Sequence, residues 1–207
     1  MTKDVEFVVK SIADTALKNE QFFTELDAVV GDGDFGYSLA RGFEKVIEKW
    51  DDIDHTNPGT FLKEVAKIIM GSVGGVSGTI WGTTFLRAGM ALGTKEKAER
   101  EDVVPVLRAV IEGIKKRGNC DLGDKTYLDT LIPTTDSIET AINEGKTDLE
   151  ILEIATQVSA EAAEATRQML AKRGRAAYTG DRSIGTLDAG SVALATMIKA
   201  LNEDWRA

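Results

Sequence analysis

Apolar side chains recur at intervals of three and four residues along almost the whole chain, and this spacing restricts the fold to packed helices. One such stripe consists of Val103, Val106, Leu107, Val110, Ile111 and Ile114. Residues 148–171 are rich in alanine, the strongest helix former. No run shows the apolar–polar alternation of a half-buried strand. We therefore predict an all-α barrel or bundle of about eight antiparallel helices.

Local signals indicate where several of these helices begin and end. The dipeptide Asn57-Pro58 is typical of a helix start, and basic residues followed by glycine over 115–118 are typical of a helix end. We expect Pro133 to kink or break its helix. The glycine-rich stretch GSVGGVSG at 71–78 is expected to interrupt the helical pattern.

Composition bounds the domain count and argues against several classes of function. A length of 207 residues is typical of one domain, so we predict a single domain over residues 1–207. The net charge of -9 argues against a nucleic-acid-binding face, which needs clustered Lys and Arg. The amino terminus does not resemble a signal peptide, and no stretch approaches the roughly 20 apolar residues of a membrane span. A single cysteine, Cys120, excludes an intramolecular disulfide, and we predict a cytoplasmic protein.

The chain has one histidine, His55, in a polar stretch that we interpret as a connection between helices. We expect it to be a solvated loop residue, because such connections run over the protein surface. A mechanism that depends on a buried histidine base is therefore disfavoured.

Four loops have unusual compositions: DAVVGDGDFG, GSVGGVSG, GNCDLGDKT and RGRAAYTGDRSIGTLDAG. They occur at roughly alternate helix junctions. In an up-and-down bundle, alternate junctions lie at the same end, so we expect the four loops to converge on one rim and to form a single site.

The first of these loops places three aspartates, Asp27, Asp32 and Asp34, among three glycines. Like charges this close raise the cost of ionising one another, so a cation is expected among them unless the stretch is an acidic surface turn. Carboxylate oxygens suit Mg²⁺, Mn²⁺ or Ca²⁺, although Ser38 stands where an EF-hand would place its bidentate glutamate. From spacing alone, a metal site and an acidic helix-capping turn both stay open.

The second and fourth loops carry groups suited to anions. In GSVGGVSG, backbone N–H groups freed by glycine lie beside a helix N-terminus and Ser77 adds a hydroxyl, whereas the alternative is close helix packing around glycine. The fourth loop contains Arg173, Arg175 and Arg182, which can grip phosphate or form a solvated charged loop. Taken together with the carboxylates, these groups describe a site for phosphoryl transfer, which needs positioning and charge neutralisation.

The stretches LDAVVGDGDFG, SLARGFEKV, GSVGGVSGTIWGT, GDKTYLD and RGRAAYTGDRSIGTLDAGS span most of the chain. In this order they resemble the nucleotide-binding subunit of dihydroxyacetone kinases, the DhaL or DAK2-type domain family, which also occurs as the C-terminal domain of ATP-dependent kinases. The resemblance implies an eight-helix barrel with ADP or ATP bound at one rim. It also implies two Mg²⁺ ions that bridge the nucleotide phosphates and are held by Asp27, Asp32 and Asp34.

The same resemblance implies a set of residues that contact the nucleotide. They are Phe35, Gly36, Tyr37, Ser38, Val76, Ser77, Gly118, Tyr127, Arg175, Leu187, Asp188 and Ala189. Among them, Gly118 and Tyr127 border the base and Arg175 lies on the phosphate side. No catalytic side chain of this chain follows from the resemblance.

Several positions depart from the family pattern. Phe35 and Ser38 stand where phosphotransferase-linked relatives usually carry histidine and asparagine, Tyr127 replaces a common methionine, and Ala189 replaces a proline. Tyr127 is expected either to stack on adenine or to pack in the core. These departures leave the phosphoryl donor and the sugar open, and they suggest a branch that acts on another ketose, such as erythrulose.

The resemblance implies the catalytic nucleotide subunit of a dihydroxyacetone-type kinase. A separate DhaK-like subunit would present the ketone sugar, and in phosphotransferase-linked systems a DhaM-like phosphohistidine protein would recharge the bound nucleotide. The alternatives are a nucleotide-sensing subunit that docks onto a transcription factor and a helical scaffold with an acidic loop.

Overall fold

The computed structural model describes residues 3–207, apart from the side chain of Val76, and confirms the all-α prediction. Nine α-helices are present in this part of the chain: α1 (Val5–Lys18), α2 (Glu20–Ala28), α3 (Phe35–Glu48), α4 (Pro58–Ser72), α5 (Gly75–Leu92), α6 (Val103–Gly118), α7 (Leu128–Asn143), α8 (Asp148–Ala165) and α9 (Ala189–Arg206). Short 3₁₀ helices stand between some of them, and residues 3–207 contain no strand.

Side-chain caps explain why three of these helices begin where they do. The Asn57 side chain accepts a hydrogen bond from the Thr60 amide at 2.9 Å, and Pro58 opens α4 as the sequence predicts. Thr147 and Glu150 form a reciprocal capping box at the start of α8. Asp188 caps α9 by accepting from the Ser191 amide at 2.7 Å. Each cap satisfies an amide that the helix itself cannot, and such a cap typically contributes about 1 kcal/mol.

The chain divides into two compact units, of which the first comprises Met1–Leu17 and Ser38–Asn119. In this unit α5 packs against both α4 and α6. Gly59 permits α4 to approach the end of α5 closely, since a Cβ on this residue would overlap the carbonyl oxygen of Gly93, which caps α5. The Phe43 ring meets those of Trp81 and Phe85 edge-on, with centroid distances of 6.2 and 5.9 Å. Such aromatic pairs stabilise a core beyond the area that they bury.

The second unit comprises Lys18–Tyr37 and Cys120–Ala207. Here α8 packs against α7 and α9, and α2 packs against α9. Small side chains on facing helices, such as Ala155, Ala163 and Ala193, are almost fully buried and permit close approach. Buried hydroxyls on α7 return to their own helix: Thr134 donates to the Thr130 carbonyl and Thr135 donates to the Leu131 carbonyl, both at 2.7 Å. These internal bonds leave the two hydroxyls satisfied within a packed core.

The glycine-rich stretch GSVGGVSG interrupts the helical pattern as predicted, because α4 ends at Ser72 and α5 begins at Gly75. The interruption itself is short, since only Val73 and Gly74 lie outside the two helices. Gly78 of this stretch lies so close to Val73 that a Cβ would overlap the Val73 carbonyl oxygen, which supports the packing interpretation for that glycine. Of the two outcomes expected for Pro133, a break is wrong, because α7 continues through this residue to Asn143.

His55 is an exposed residue of the connection between α3 and α4, as expected, and it also has hydrogen-bond partners. Its ring nitrogens lie 2.9 Å from Glu6 Oε1 and 3.0 Å from the Trp50 carbonyl oxygen, and the ring packs on Phe61 with centroids 5.1 Å apart. The Trp50 carbonyl and the Glu6 carboxylate raise the pKa of His55. This histidine therefore ties a helix connection to its neighbours within the first unit. Within residues 3–207, every helix is too short or too polar to cross a bilayer.

Candidate functional site

The aspartate loop, residues 27–36, joins the end of α2 to the start of α3. Asp27 Oδ2 accepts hydrogen bonds from the amides of Asp34 at 3.2 Å and Phe35 at 3.4 Å. These amides belong to the N-terminal end of α3, where amides lack helical partners. The first aspartate is therefore a helix cap, which supports the capping interpretation for Asp27 without using all of its oxygen lone pairs.

Two glycines give the aspartate loop its shape. Gly33 has a φ of +70°, a conformation that L side chains rarely adopt. Gly36 is buried, and a Cβ there would overlap the carbonyl oxygen of Glu20 and the backbone nitrogen of Thr24. The first turn of α3 therefore lies directly against the backbone of α2.

Asp32 extends from this loop to form an ion pair with the Arg175 guanidinium. The carboxylate keeps 35% of its side-chain surface exposed and the guanidinium 67%, so the pair is accessible from solvent. Burial raises the pKa of Asp27, the hydrogen bond from the Phe35 amide opposes this rise, and the negative charge of Asp32 adds to it. The loop is therefore a place where a positive charge is favoured, and Arg175 supplies one to Asp32.

The donor set of the aspartate loop fits a hard divalent cation, because Asp27, Asp32 and Asp34 all offer carboxylate oxygens. Asp32 and Asp34 are exposed, and Asp27 is half-buried. Within residues 3–207, no three Asp, Glu, His or Cys side chains are arranged as a ready metal cage. The metal site over these aspartates therefore stays a prediction.

The closing loop, defined as residues 169–188, lies between α8 and α9 and includes most of the fourth unusual loop of the sequence. It contains the 3₁₀ segment Arg175–Ser183. It is attached to the polar stretch 119–127 through Asp124, which is 8% exposed. Asp124 oxygens lie 3.3 Å from Lys172 Nζ and 3.4 Å from Arg173 Nη2, and the Asp124 carbonyl accepts from the Lys172 amide at 3.1 Å. Two of the four cations of this loop are therefore held by one carboxylate.

Lys125 forms a second attachment between the same two segments. The side-chain ammonium donates to the carbonyl oxygens of Met169 at 3.3 Å and Thr186 at 2.8 Å, to the Thr186 hydroxyl at 3.2 Å, and to the Ser183 carbonyl. Lys125 is 3% exposed and has a φ of +59°. Burial lowers its pKa, and the nearby carboxylate of Asp188 partly offsets this effect.

Asp188 ends the closing loop and is half-buried. Burial raises its pKa to about 6, which the hydrogen bonds from Ser191 oppose. Asp129 adds to the rise, and Lys125 opposes it. Asp129 is itself buried and accepts from the amides of Gly123 at 2.5 Å and Thr126 at 2.6 Å. The start of α9 therefore carries a carboxyl that ionises less readily than an ordinary aspartate.

Within the second unit, the closing loop contacts two of the other unusual loops. The Asp32–Arg175 pair joins the aspartate loop to the closing loop, and Asp124 and Lys125 join the closing loop to the stretch 119–127. The predicted nucleotide residues that belong to this unit are Phe35, Gly36, Tyr37, Tyr127, Arg175, Leu187, Asp188 and Ala189. Tyr37 is 53% exposed, whereas Tyr127 is only 8% exposed and sits at the start of α7.

The remaining predicted nucleotide residues belong to the first unit. Ser38 lies in the first turns of α3, Ser77 in the first turn of α5, and Gly118 at the last position of α6. The side chain of Val76 lies outside the described residues. Ser77 is half-buried beside a helix N-terminus, the position that the anion interpretation requires.

Sequence reasoning overlooked Lys125, Asp124 and Asp129, which hold the closing loop and its neighbour. The charged run in GNCDLGDKT marked this stretch as unusual, but the acceptors of Lys125 lie 44 to 61 residues further along the chain. No local pattern reveals partners at that separation.

Comparison with known proteins gives one matching family model, that of the DAK2 domain, over residues 29–203. The chain is 35% identical to the "PEP-dependent dihydroxyacetone kinase, ADP-binding subunit DhaL" of Escherichia coli, covering 87% of this chain and 86% of the relative. It is 31% identical to a protein of the same description, numbered 1, from Listeria innocua, with 97% of each chain covered. It is also 31% identical to an L-erythrulose kinase of Pectobacterium atrosepticum, covering 96% of this chain but 34% of the relative.

Two solved structures of the dihydroxyacetone kinase of C. freundii share this fold. The native form superposes with a TM-score of 0.76 at 27% identity, covering 96% of this chain and 34% of the kinase chain. The complex with AMP-PNP and Mg²⁺ superposes with a TM-score of 0.73 at 26% identity, covering 96% of this chain and 33% of the kinase chain. The chain thus spans about a third of the length of that kinase.

Proposed function

The chain belongs to the DAK2 domain family, and on that premise we propose that it is the nucleotide-binding catalytic subunit of a dihydroxyacetone-type kinase, with residues 1–207 acting as one domain. It would transfer a phosphoryl group from Mg²⁺-bound nucleotide to a small ketose. The observation that carries the proposal is the meeting of the aspartate loop with the closing loop through Asp32 and Arg175. That contact places carboxylates suited to a metal beside a cation suited to phosphate.

We propose that Asp27, Asp32 and Asp34 hold two Mg²⁺ ions. When bound, Mg²⁺ would neutralise the negative charge that develops on the transferred phosphoryl group. The chain contributes the position of the carboxylates: Asp27 is fixed by the amides of Asp34 and Phe35, and the close contact of Gly36 with α2 fixes the start of α3. Such fixed geometry is what phosphoryl transfer requires of a protein.

We propose that the nucleotide lies along residues from five segments. They are Phe35, Gly36, Tyr37 and Ser38; Val76 and Ser77; Gly118 and Tyr127; Arg175; and Leu187, Asp188 and Ala189. Arg175 would exchange Asp32 for a phosphate oxygen when nucleotide and metal arrive, because its guanidinium is exposed and paired with a carboxylate of the metal site. Ser77 would add a hydroxyl beside the N-terminus of α5.

We propose that the acceptor is presented by a separate DhaK-like substrate-binding subunit. The E. coli and Listeria relatives are described as ADP-binding subunits of PEP-dependent kinases, which supports a nucleotide that stays bound and is recharged by a DhaM-like phosphohistidine protein. The relative described as an erythrulose kinase supports a four-carbon ketose as another substrate to test.

Reconstitution tests the proposal. The purified chain would be mixed with the DhaK subunit of the E. coli system and either dihydroxyacetone or L-erythrulose. The phosphoryl donor would be either Mg·ATP or the DhaM subunit supplied with ADP, Mg²⁺ and its own phosphoryl donors, and sugar phosphate would be measured. We expect product only when both the chain and the DhaK subunit are present, and none when Asp32→Ala replaces the wild-type chain. The test would be repeated with a substrate-binding subunit from the same organism as the chain. If the chain bound nucleotide tightly in the presence of Mg²⁺ but neither substrate subunit received a phosphoryl group on its sugar, the kinase proposal would be rejected and a nucleotide sensor favoured.

A further inference from the structure

Lys125 occupies an unusual position for a lysine. It is 3% exposed, although lysine is almost never fully buried unless its charge is paired. Its backbone has a φ of +59°, which is uncommon for a residue with a side chain. The surrounding structure therefore maintains a conformation that the residue alone would not prefer.

The ammonium of Lys125 is surrounded by the backbone of the closing loop. It has four oxygen acceptors within hydrogen-bond reach, at Met169, Ser183 and both the carbonyl and the hydroxyl of Thr186. An ammonium has three protons, so at least two acceptors share one of them. The acceptors lie near both ends of the closing loop, so one cation connects its first residue to its last turn.

The closing loop also carries residues that we propose to contact the nucleotide, and they lie between or directly after the acceptors of Lys125. Arg175 lies between Met169 and Ser183, while Leu187 and Asp188 directly follow Thr186. Other bonds reinforce the same closure, since the Ser183 hydroxyl accepts from the Ala171 amide at 3.0 Å and the Gly185 amide donates to the Arg167 carbonyl at 2.8 Å. Arg167 Nη1 also donates to the Gly185 carbonyl at 3.1 Å, but the Arg167 side chain is partly exposed, whereas the Lys125 ammonium is buried among the loop carbonyls.

We propose that Lys125 is a positioning residue for nucleotide binding: its ammonium holds the closing loop shut so that Arg175 and the Leu187–Asp188 turn stand ready for the nucleotide. The inference rests on the proposed nucleotide function of the loop. Its structural part, that the cation keeps the loop closed, holds without any ligand. A pre-ordered loop saves the entropy of ordering it on binding.

The test uses the full chain and two independent measurements. Trypsin cleavage at the exposed Lys172, Arg173, Arg175 and Arg182 reports opening of the loop, and calorimetric titration with Mg·ADP reports affinity. Lys125→Met keeps the length of the side chain but removes the cation, and Lys125→Arg keeps a cation. Lys199→Met is the matched control, because it makes the same substitution at an exposed lysine on α9. The Lys199 Nζ atom lies 3.9 Å from Glu203 Oε1, on the same helix and outside the closing loop.

For Lys125→Met we expect cleavage in the closing loop to rise, and ADP affinity to fall, by about ten- to a hundredfold, because three carbonyls lose their donor. Lys125→Arg recovers most of both properties, and Lys199→Met behaves as wild type. Should Lys125→Met not fold, Thr186→Val, which removes one acceptor, is expected to change both measurements in the same direction by a smaller factor.

Unchanged cleavage in Lys125→Met, unchanged affinity despite faster cleavage, or equal losses in Lys125→Arg and Lys125→Met would each overturn the proposal. If the wild-type chain did not bind Mg·ADP at all, the proposed function would fail. The cleavage measurement would then decide separately whether Lys125 closes the loop.

Discussion

Replacing Asp188 by asparagine should raise the free energy of unfolding of the nucleotide-free protein at neutral and alkaline pH. Burial raises the pKa of Asp188 from an ordinary value of 3.8 to about 6, so the folded protein disfavours the ionised carboxylate. Asparagine has the same shape and is an equally good N-cap, so it can accept the Ser191 amide without carrying the charge.

The size and sign of the effect follow from this pKa. A rise from 3.8 to about 6 corresponds to about 3 kcal/mol of stability lost once Asp188 is ionised. Because the residue keeps part of its surface exposed, we expect a gain of about 1–2 kcal/mol for the Asp188→Asn protein at pH 8. Between these two pKa values the unfolded chain binds fewer protons than the folded one, so the contribution of Asp188 is present at low pH and is lost as pH rises through about 6.

Urea unfolding followed by far-UV circular dichroism at pH 4 and at pH 8 measures the difference. We expect the two proteins to differ little at pH 4 and the variant to be the more stable at pH 8. Asp181→Asn, at an exposed aspartate of the same loop, is the control and should give the same difference at both pH values. A variant that is less stable than wild type at pH 8, or equally shifted at both pH values, would refute the account of Asp188 as a carboxyl held against its ionisation.

Three further substitutions test separate parts of the structure. Asp32→Ala should abolish Mg²⁺-dependent ADP binding in calorimetry while the helical circular dichroism spectrum is retained; unaltered binding would reject the proposed metal site. Gly36→Ala should destabilise the fold by about 1–3 kcal/mol in urea unfolding, because its Cβ would overlap the backbone of α2, and a wild-type unfolding midpoint would show that this contact is loose. Asn57→Ala should cost about 1 kcal/mol through the lost cap of α4 and leave ADP affinity unchanged, so a changed affinity would contradict a purely structural part for that residue.

The helices were predictable because a helix that buries one face has apolar residues at intervals of three and four, and this spacing is visible in the local sequence. The start of α4 at Asn57-Pro58 followed from capping chemistry that involves only three neighbouring residues. The continuation of α7 through Pro133 did not follow, because the local signal of a proline favours a kink or a break. The break in GSVGGVSG was predictable from its glycines, but its shortness was not, because Gly78 belongs to α5 and lies closely against the Val73 carbonyl.

The candidate site was only partly predictable for a related reason. The aspartate loop is contiguous in sequence, so its carboxylates could be recognised from spacing and composition. The ion pair between Asp32 and Arg175 joins residues far apart in the chain, and so do the bonds of Lys125 to the closing loop. Local patterns identify which loops carry unusual chemistry, but the pairing of groups between loops depends on the folded chain.

The central claim is that the aspartate loop holds divalent cations that bind the nucleotide phosphates, and Mn²⁺ titration followed by electron paramagnetic resonance tests it most directly. Free Mn²⁺ would be measured with and without ADP, for the wild-type chain and for a variant with Asp27, Asp32 and Asp34 all changed to asparagine. We predict that ADP makes the wild-type chain take up two Mn²⁺ ions per molecule and that the variant takes up none above the amount bound by ADP alone. Equal uptake by the two proteins would contradict the claim.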